Sequence, residues 1–227
     1  MAQIVVTGVA GFIGSTLAEK LLEQNHDVLG IDSITDYYSN RIKEKNVEIC
    51  LQKSNFTFLQ QDLGEIDLKE IFENVQYVFH LAGQPGVRKS WGTDFKIYNK
   101  NNIIITQKIL ESLKDHTTLK KFVLASSSSV YGNQSGILSE EKSLTRPVSP
   151  YGVTKLAAEN LTNLYYENFK IPTISLRYFT VYGPKQRPDM AFTKFLHSII
   201  NDKKISIYGN GEQTRDFTYI DDIVSAT

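Results

Sequence analysis

Short runs of β-branched and aromatic residues recur along this chain, separated by longer stretches in which apolar positions return every three or four residues. The runs are Ile4-Val5-Val6, Val28-Leu29-Gly30-Ile31, Phe56-Thr57-Phe58-Leu59, Tyr77-Val78-Phe79, Phe122-Val123-Leu124 and Thr173-Ile174-Ser175-Leu176. Short, nearly continuous apolar runs suit strands covered on both faces. Helical periodicity predicts a helix from Phe12 to Asn25, with Ile13, Leu17, Leu21 and Leu22 on one side. It predicts another from Phe95 to Leu113, carrying Ile104, Ile105, Ile109 and Leu113. Strand and helix therefore alternate, and the expected class is α/β: a doubly wound parallel sheet with helices on both faces.

Beyond residue 180 the rhythm changes. The stretch from Gly183-Pro184 to Gly211 is punctuated by glycine and proline, with one helical pattern, Ala191 to Asn201, and one short strand, Ile205 to Tyr208. Residues 1–180 are expected to form the sheet domain. Residues 181–227 read as the beginning of a smaller subdomain, with 216–227 returning to the first. A helix opens near Asp221 and the sequence stops at Thr227, so this second layer is expected to be truncated.

The 25 basic and 25 acidic side chains cancel, which leaves no charge excess for nucleic acid or an anionic membrane surface. Phosphate recognition must then be local. Cys50 is the single cysteine and has no internal disulfide partner, the N-terminus opens on a strand-like run, and no apolar stretch approaches the ~20 residues of a membrane span. A cytoplasmic protein is expected. His26, His80, His116 and His197 are widely spaced, so no metal site is expected.

The first strand runs into Gly8-Val9-Ala10-Gly11-Phe12-Ile13-Gly14, which opens the first helix. Glycines suit a tight turn, a close approach of backbone to pyrophosphate, and tight packing of helix on strand, while the helix N-terminus offers amides and a positive dipole end. A glycine triplet alone also suits an ordinary turn. Asp32 lies 18 residues after Gly14 at the end of the second strand, where a carboxylate meets adenosine ribose hydroxyls. It repels a 2′-phosphate, and the nearest arginine is Arg41, so NAD is expected over NADP in a Rossmann-like domain. Asp62 and Leu63, after the third strand, are candidates for the adenine edge, although a plain loop aspartate fits as well.

Ser149-Pro150 reads as an N-cap and first helical residue, and Tyr151 and Lys155 then share one helix face. An ammonium near a tyrosine favours its phenolate, which makes the pair a candidate acid and base; a surface tyrosine beside a solvated lysine is the bland alternative. Position favours chemistry. The pair follows the fifth strand and the run Ser126-Ser127-Ser128-Ser129, at the sheet edge where this fold binds cofactors.

With the glycine turn, Asp32, the serines and Tyr151/Lys155 in this order, the sequence resembles the extended short-chain dehydrogenase/reductases of the nucleotide-sugar epimerase and dehydratase group. The resemblance runs from Ile4 to the last residue and includes His80-Leu81-Ala82-Gly83, Tyr98 to Thr106, Leu176 to Pro184, Tyr208-Gly209-Asn210-Gly211 and Arg215-Asp216-Phe217. It implies catalytic Ser127, Tyr151 and Lys155, with NAD held by Gly8, Gly11, Phe12, Ile13, Gly14, Asp32, Asp62, Leu63, Leu81, Ala82, Gly83, Asn102, Tyr151 and Lys155. It also implies a UDP-sugar substrate bound in the smaller subdomain, and homodimerisation through the helices at Phe95–Leu113 and Tyr151–Phe169. Arg88, Ser128, Ser129, Thr180, Arg187, Tyr208 and Arg215 are the implied substrate residues, Arg215 at the diphosphate. Dehydratases and decarboxylases of the group carry an acid just after the position of Ser127; Ser128 and Ser129 stand here, which favours a 4-epimerase. Gln84 to Arg88 and Val181 to Met190 resemble UDP-glucuronate 4-epimerases, with Arg187 suited to a sugar carboxylate. The alternatives are a UDP-glucose 4-epimerase, a dehydratase or decarboxylase, and an NAD-binding module without turnover.

Overall fold

All six apolar runs enter one parallel sheet. In the computed structural model, which describes residues 2–134, 136–207, 209–212 and 214–227, the strands are β1 (Gln3–Thr7), β2 (Asp27–Ile31), β3 (Phe56–Leu59), β4 (Tyr77–His80), β5 (Lys121–Ser127) and β6 (Thr173–Tyr178). Their order is β3-β2-β1-β4-β5-β6, the doubly wound Rossmann arrangement. Val5 pairs with Val78 and Val78 with Phe122, an apolar row across the middle of the sheet.

Successive residues of a strand face opposite ways, and each face has its own core. Ile4 and Val6 meet α1 (Phe12–Glu23) and α2 (Asn40–Leu51) on one side; Val5, Val78 and Phe122 meet α3 (Leu68–Phe72) on the other. The predicted helix from Phe95 is helical throughout but not uniform: α4 (Phe95–Tyr98) passes through a wide π-helical segment at Asn99–Ile104 into α5 (Ile105–Ser112). That wide segment holds Asn102 inward, 2% exposed. Next comes α6 (Pro150–Phe169), started as expected by Pro150 in the first turn and by the Ser149 hydroxyl, which accepts the Gly152 N–H at 3.1 Å.

The chain after β6 forms β7 (Thr180–Tyr182), α7 (Ala191–Ile200), β8 (Phe217–Tyr219) and α8 (Ile220–Ala226). β7 and β8 pair in parallel as a separate ribbon, and Val181, Ile220, Ile223 and Val224 join the core beside α1. The strand expected from Ile205 is a correction: residues 205–207 have no strand structure. The ribbon is built from Thr180 and Phe217 instead, and a β-branched run without a paired ladder is not held extended. Tyr208 lies outside the described residues. The strand order reverses between β1 and β4, and in such sheets the crevice above that point is where ligands bind.

Candidate active site

The turn after β1 admits only glycine at two places. Gly8 has φ +72°, and a Cβ there would lie 2.7 Å from the Ala82 nitrogen; at Gly14 it would lie 2.2 Å from the Gly8 oxygen. Backbone thus packs directly on backbone where α1 leaves the sheet. Gly11 caps α1 without a side chain, and no acid stands in the first turn. The first intrahelical amide bond is made by Ser15 to Gly11 O at 3.1 Å, so the Phe12, Ile13 and Gly14 amides have no carbonyl within the helix. This is an anion cradle.

A cleft of about 640 Å³ opens above it. Of the expected cofactor residues, Gly8, Gly11, Phe12, Ile13, Gly14, Asp32, Asp62, Leu63, Leu81, Ala82 and Gly83 line it. Asp32 is oriented by two backbone amides, Ala10 N–H to Oδ2 at 3.0 Å and Ile34 N–H to Oδ1 at 2.8 Å. Burial raises its pKa against these bonds and against the nearby Lys43 ammonium. Lys43 was not anticipated. It lines the cleft and donates to Thr35 Oγ1 at 3.2 Å, whereas Arg41 is exposed. A lysine 11 residues after Asp32 was visible in the sequence, yet nothing local marks it as turned inward. Tyr37 and Tyr38, also on the cleft wall, carried no earlier signal either. Asp62 accepts from Lys100 Nζ and from Gly64 N–H, both at 2.8 Å, and the Lys100 bond holds its carboxyl below the usual range.

Beneath the cleft lies a buried polar chain. Thr106 gives its proton to Asn102 O at 2.8 Å, so toward His80 Nε2, 3.1 Å away, it acts as acceptor. The imidazole therefore carries its proton on Nε2, and Nδ1 accepts from Thr7 Oγ1 at 2.8 Å. Burial, and secondarily the Lys155 charge, push His80 down to about 3 and keep it neutral. Asn102 is tied down by its side-chain amide. Its Oδ1 accepts Gln84 N–H at 2.7 Å and its Nδ2 donates to Gln84 O and Thr154 Oγ1, at 3.2 and 3.0 Å. With its amide committed on both sides, it braces the cleft wall against α6, and its Oδ1 lies 2.8 Å from where a Cβ on the cleft residue Gly83 would stand.

Tyr151, Lys155 and Ser127 come together where α6 crosses the end of β5. Lys155 Nζ donates to Ala125 O at 2.8 Å and lies 3.3 Å from where a Cβ on Gly83 would stand, so the ammonium reaches the cleft floor. Burial lowers its pKa to about 8, with Glu159 opposing. The Tyr151 ring meets Tyr98 edge-on at 6.3 Å. Burial raises the Tyr151 pKa, while a hydrogen bond from Ser127 and the Arg187 charge lower it. Ser127 Oγ also accepts the Ser129 N–H at 3.1 Å, and the two hydroxyl oxygens lie 3.1 Å apart. Ser126, grouped with these serines by sequence, bonds instead to Glu159, two turns further along α6.

The substrate candidates divide. Arg187 lines the cleft, but its Nε and Nη2 grip Asp189 at 2.9 and 3.0 Å, and Asp189 also accepts from Tyr37 Oη at 3.3 Å. Ser128 opens the 3-10 turn Ser128–Val130 that also contains Ser129, and Thr180 begins β7. Arg88 and Arg215 are exposed, and Arg215 bonds the neighbouring Thr214 O at 2.6 Å; neither lines the cleft. Among the described residues no cluster of histidine, cysteine and carboxylate could hold a metal, and no helix is long and apolar enough to cross a membrane.

The sequence of the whole site matches a known family model. Residues 4–227 fit the NAD dependent epimerase/dehydratase family. The chain belongs to that family. An uncharacterised UDP-glucose epimerase of Bacillus subtilis, YtcB, is 48% identical over 98% of this chain and 70% of its own length. A UDP-glucuronate 4-epimerase of Thermodesulfobacterium geofontis is 43% identical over 100% of this chain and 71% of its own. The crystal structure of UDP-glucuronic acid 4-epimerase from Bacillus cereus, in complex with UDP-glucuronic acid and NAD, superposes with a TM-score of 0.95 at 49% identity, over 98% of this chain and 70% of that one. For this epimerase-family chain the glycine cradle, Asp32 and the cleft fit NAD by the chemistry of their donors: open amides for a diphosphate, a carboxylate for ribose hydroxyls.

Proposed function

We propose that this chain catalyses NAD-dependent epimerisation at C4 of a UDP-sugar through a 4-keto intermediate, with UDP-glucuronate as the favoured substrate. The observation that carries the reading is the placement of Lys155 under Gly83, which joins the Tyr151/Ser127 end of α6 to the cleft that begins at the glycine cradle. NAD, when bound, supplies the acceptor and later donor of the C4 hydride. Tyr151 takes the proton of the sugar 4-hydroxyl and returns it after the keto sugar has turned. Ser127 and the Arg187 charge favour the phenolate that this requires, against a burial that opposes it, and the Lys155 ammonium one helix turn away would add to them. Ser128, Ser129, Thr180 and Arg187 would hold the sugar, and Arg88, Tyr208 and Arg215 the remainder of the nucleotide. We further propose a cytoplasmic homodimer, supported by the apolar residues that α4 to α6 leave exposed: Ile97, Ile104, Val153 and Leu164.

The choice of sugar rests on the two glucuronate-acting relatives and on Arg187. Because one edge of its guanidinium is bound to Asp189, a sugar carboxylate would meet it by a single charge-assisted bond unless that pair opens. One such bond contributes about 1.5 kcal/mol at the lower end, roughly 10-fold in selectivity over UDP-glucose. The test is a product analysis with a panel of UDP-sugars, wild type beside Arg187→Ala. UDP-galacturonate from UDP-glucuronate, with the preference lost in the variant, is expected. Better turnover of UDP-glucose, indifferent to Arg187, would put the UDP-glucose 4-epimerase reading in its place. NAD binding without any product would leave the binding module.

A further inference from the structure

Three consecutive residues at the end of β5 each hold one residue of a single face of α6. Ser127 meets Tyr151, Ala125 O accepts from Lys155 Nζ, and Ser126 Oγ donates to Glu159 Oε1. Tyr151, Lys155 and Glu159 are spaced by four, so they form one stripe along the helix. The stripe continues the catalytic pair by one more turn into the interior, where Glu159 is 4% exposed. A carboxylate is costly at such a place unless paired and fully hydrogen-bonded. Here it is both. Arg177 of β6 grips it with Nε at 3.1 and 3.2 Å from the two oxygens and Nη2 at 2.9 Å. The other side of the guanidinium lies over the Tyr131 ring, 4.8 Å from its centroid, just past the serine turn. One ion pair therefore ties β5, β6, α6 and the loop after Ser129.

We propose that Glu159, held by Arg177, is a positioning residue for the epimerase reaction: it fixes the end of β5 against α6 so that Ser127 faces Tyr151, and its charge sustains the Lys155 ammonium. A scaffold built only for stability would be served as well by an apolar contact, which is often neutral or better than a buried ion pair. An anion one helix turn from a buried lysine does what an apolar contact cannot. The charged and titratable groups coupled to Lys155 are Glu159 from α6 and His80 from β4, with Arg177 of β6 behind Glu159. His80 is neutral, so Glu159 is the anion of this set. Its opposition to the burial of Lys155 agrees with the role.

This inference rests on the epimerase reading for its rate measurement but not for its titration. In NAD-loaded protein carrying isotope-labelled lysine, the Lys155 titration is followed by NMR in wild type and in Glu159→Gln, which keeps size and hydrogen-bonding reach and removes the charge. Lys155 is expected to lose its proton at least one pH unit lower in the variant. If wild type epimerises UDP-glucuronate, Glu159→Gln should lose roughly 10-fold or more in kcat with little change in KM, and the alkaline limb of its pH profile should move down. An unchanged Lys155 titration overturns the proposal, whether or not any sugar is turned over; absence of turnover in wild type sinks only the epimerase reading. Should Glu159→Gln fail to fold, Ser126→Ala removes just the tie from β5. It should lower kcat several-fold with NAD affinity retained, and full activity in that variant contradicts the positioning role.

Discussion

His80 illustrates how one residue's surroundings fix its chemistry. Its tautomer is dictated by Thr106, whose single proton goes to Asn102 O, and its neutrality by burial. The folded pKa, about 3, is depressed below the unfolded value of ~6.5, so between these limits the unfolded chain binds a proton that the folded chain excludes. Stability is present in full above pH ~6.5 and is lost as pH falls toward 3, by about 1.4 kcal/mol per pH unit from this group. Urea unfolding of wild type between pH 7 and 5, compared with His80→Asn, should show this loss in wild type and a shallower slope in the variant, roughly 2 kcal/mol apart in total change. Parallel curves would mean that His80 accepts a proton in the fold. In the sequence this histidine simply follows the fourth apolar run, Tyr77-Val78-Phe79. Its partners, Thr7 and Thr106, lie 73 and 26 residues away, beyond what local spacing conveys.

At the scale of elements, legibility followed periodicity. The strands were readable because both faces are covered and the runs are continuously apolar, and α1, α6 and α7 because of caps or a clear apolar side. α2 was missed: its buried positions are Lys43, Asn46, Val47 and Cys50, so two of the inward residues read as surface. The β7/β8 ribbon was missed because its three-residue strands lie about 35 positions apart and neither carries a pattern alone. For the site, the glycine turn, Asp32 and the Tyr151/Lys155 pair were legible, being local motifs. The bracing role of Asn102, the Asp189 clamp on Arg187 and the Glu159–Arg177 tie were not, since each depends on long-range contact. The helices also carry a prediction. Leu164 on α6 is 55% exposed and Ile104, in the wide segment before α5, 51%. If these faces join two copies, Leu164→Arg should shift the protein from dimer to monomer in sedimentation velocity at micromolar concentration while NAD binding persists. A wild type that is monomeric there, or a variant that still dimerises, counts against this interface.

In the whole molecule a cofactor cleft at the sheet's switch point meets the Tyr151/Lys155 face of one helix, so that oxidation and re-reduction at C4 can occur without release of the sugar. Loss of a hydride to solvent is excluded by such a cycle. Simple deprotonation at C4, by contrast, would exchange its hydrogen with water. The most direct measurement is therefore the fate of deuterium placed at C4 of UDP-glucuronate, followed by mass spectrometry and NMR of the product after incubation with the protein and NAD, with Tyr151→Phe as control. UDP-galacturonate with the label retained at C4 is expected, with a product yield reduced at least ~100-fold in the tyrosine variant. Label lost to solvent, or undiminished turnover in Tyr151→Phe, would contradict this cycle.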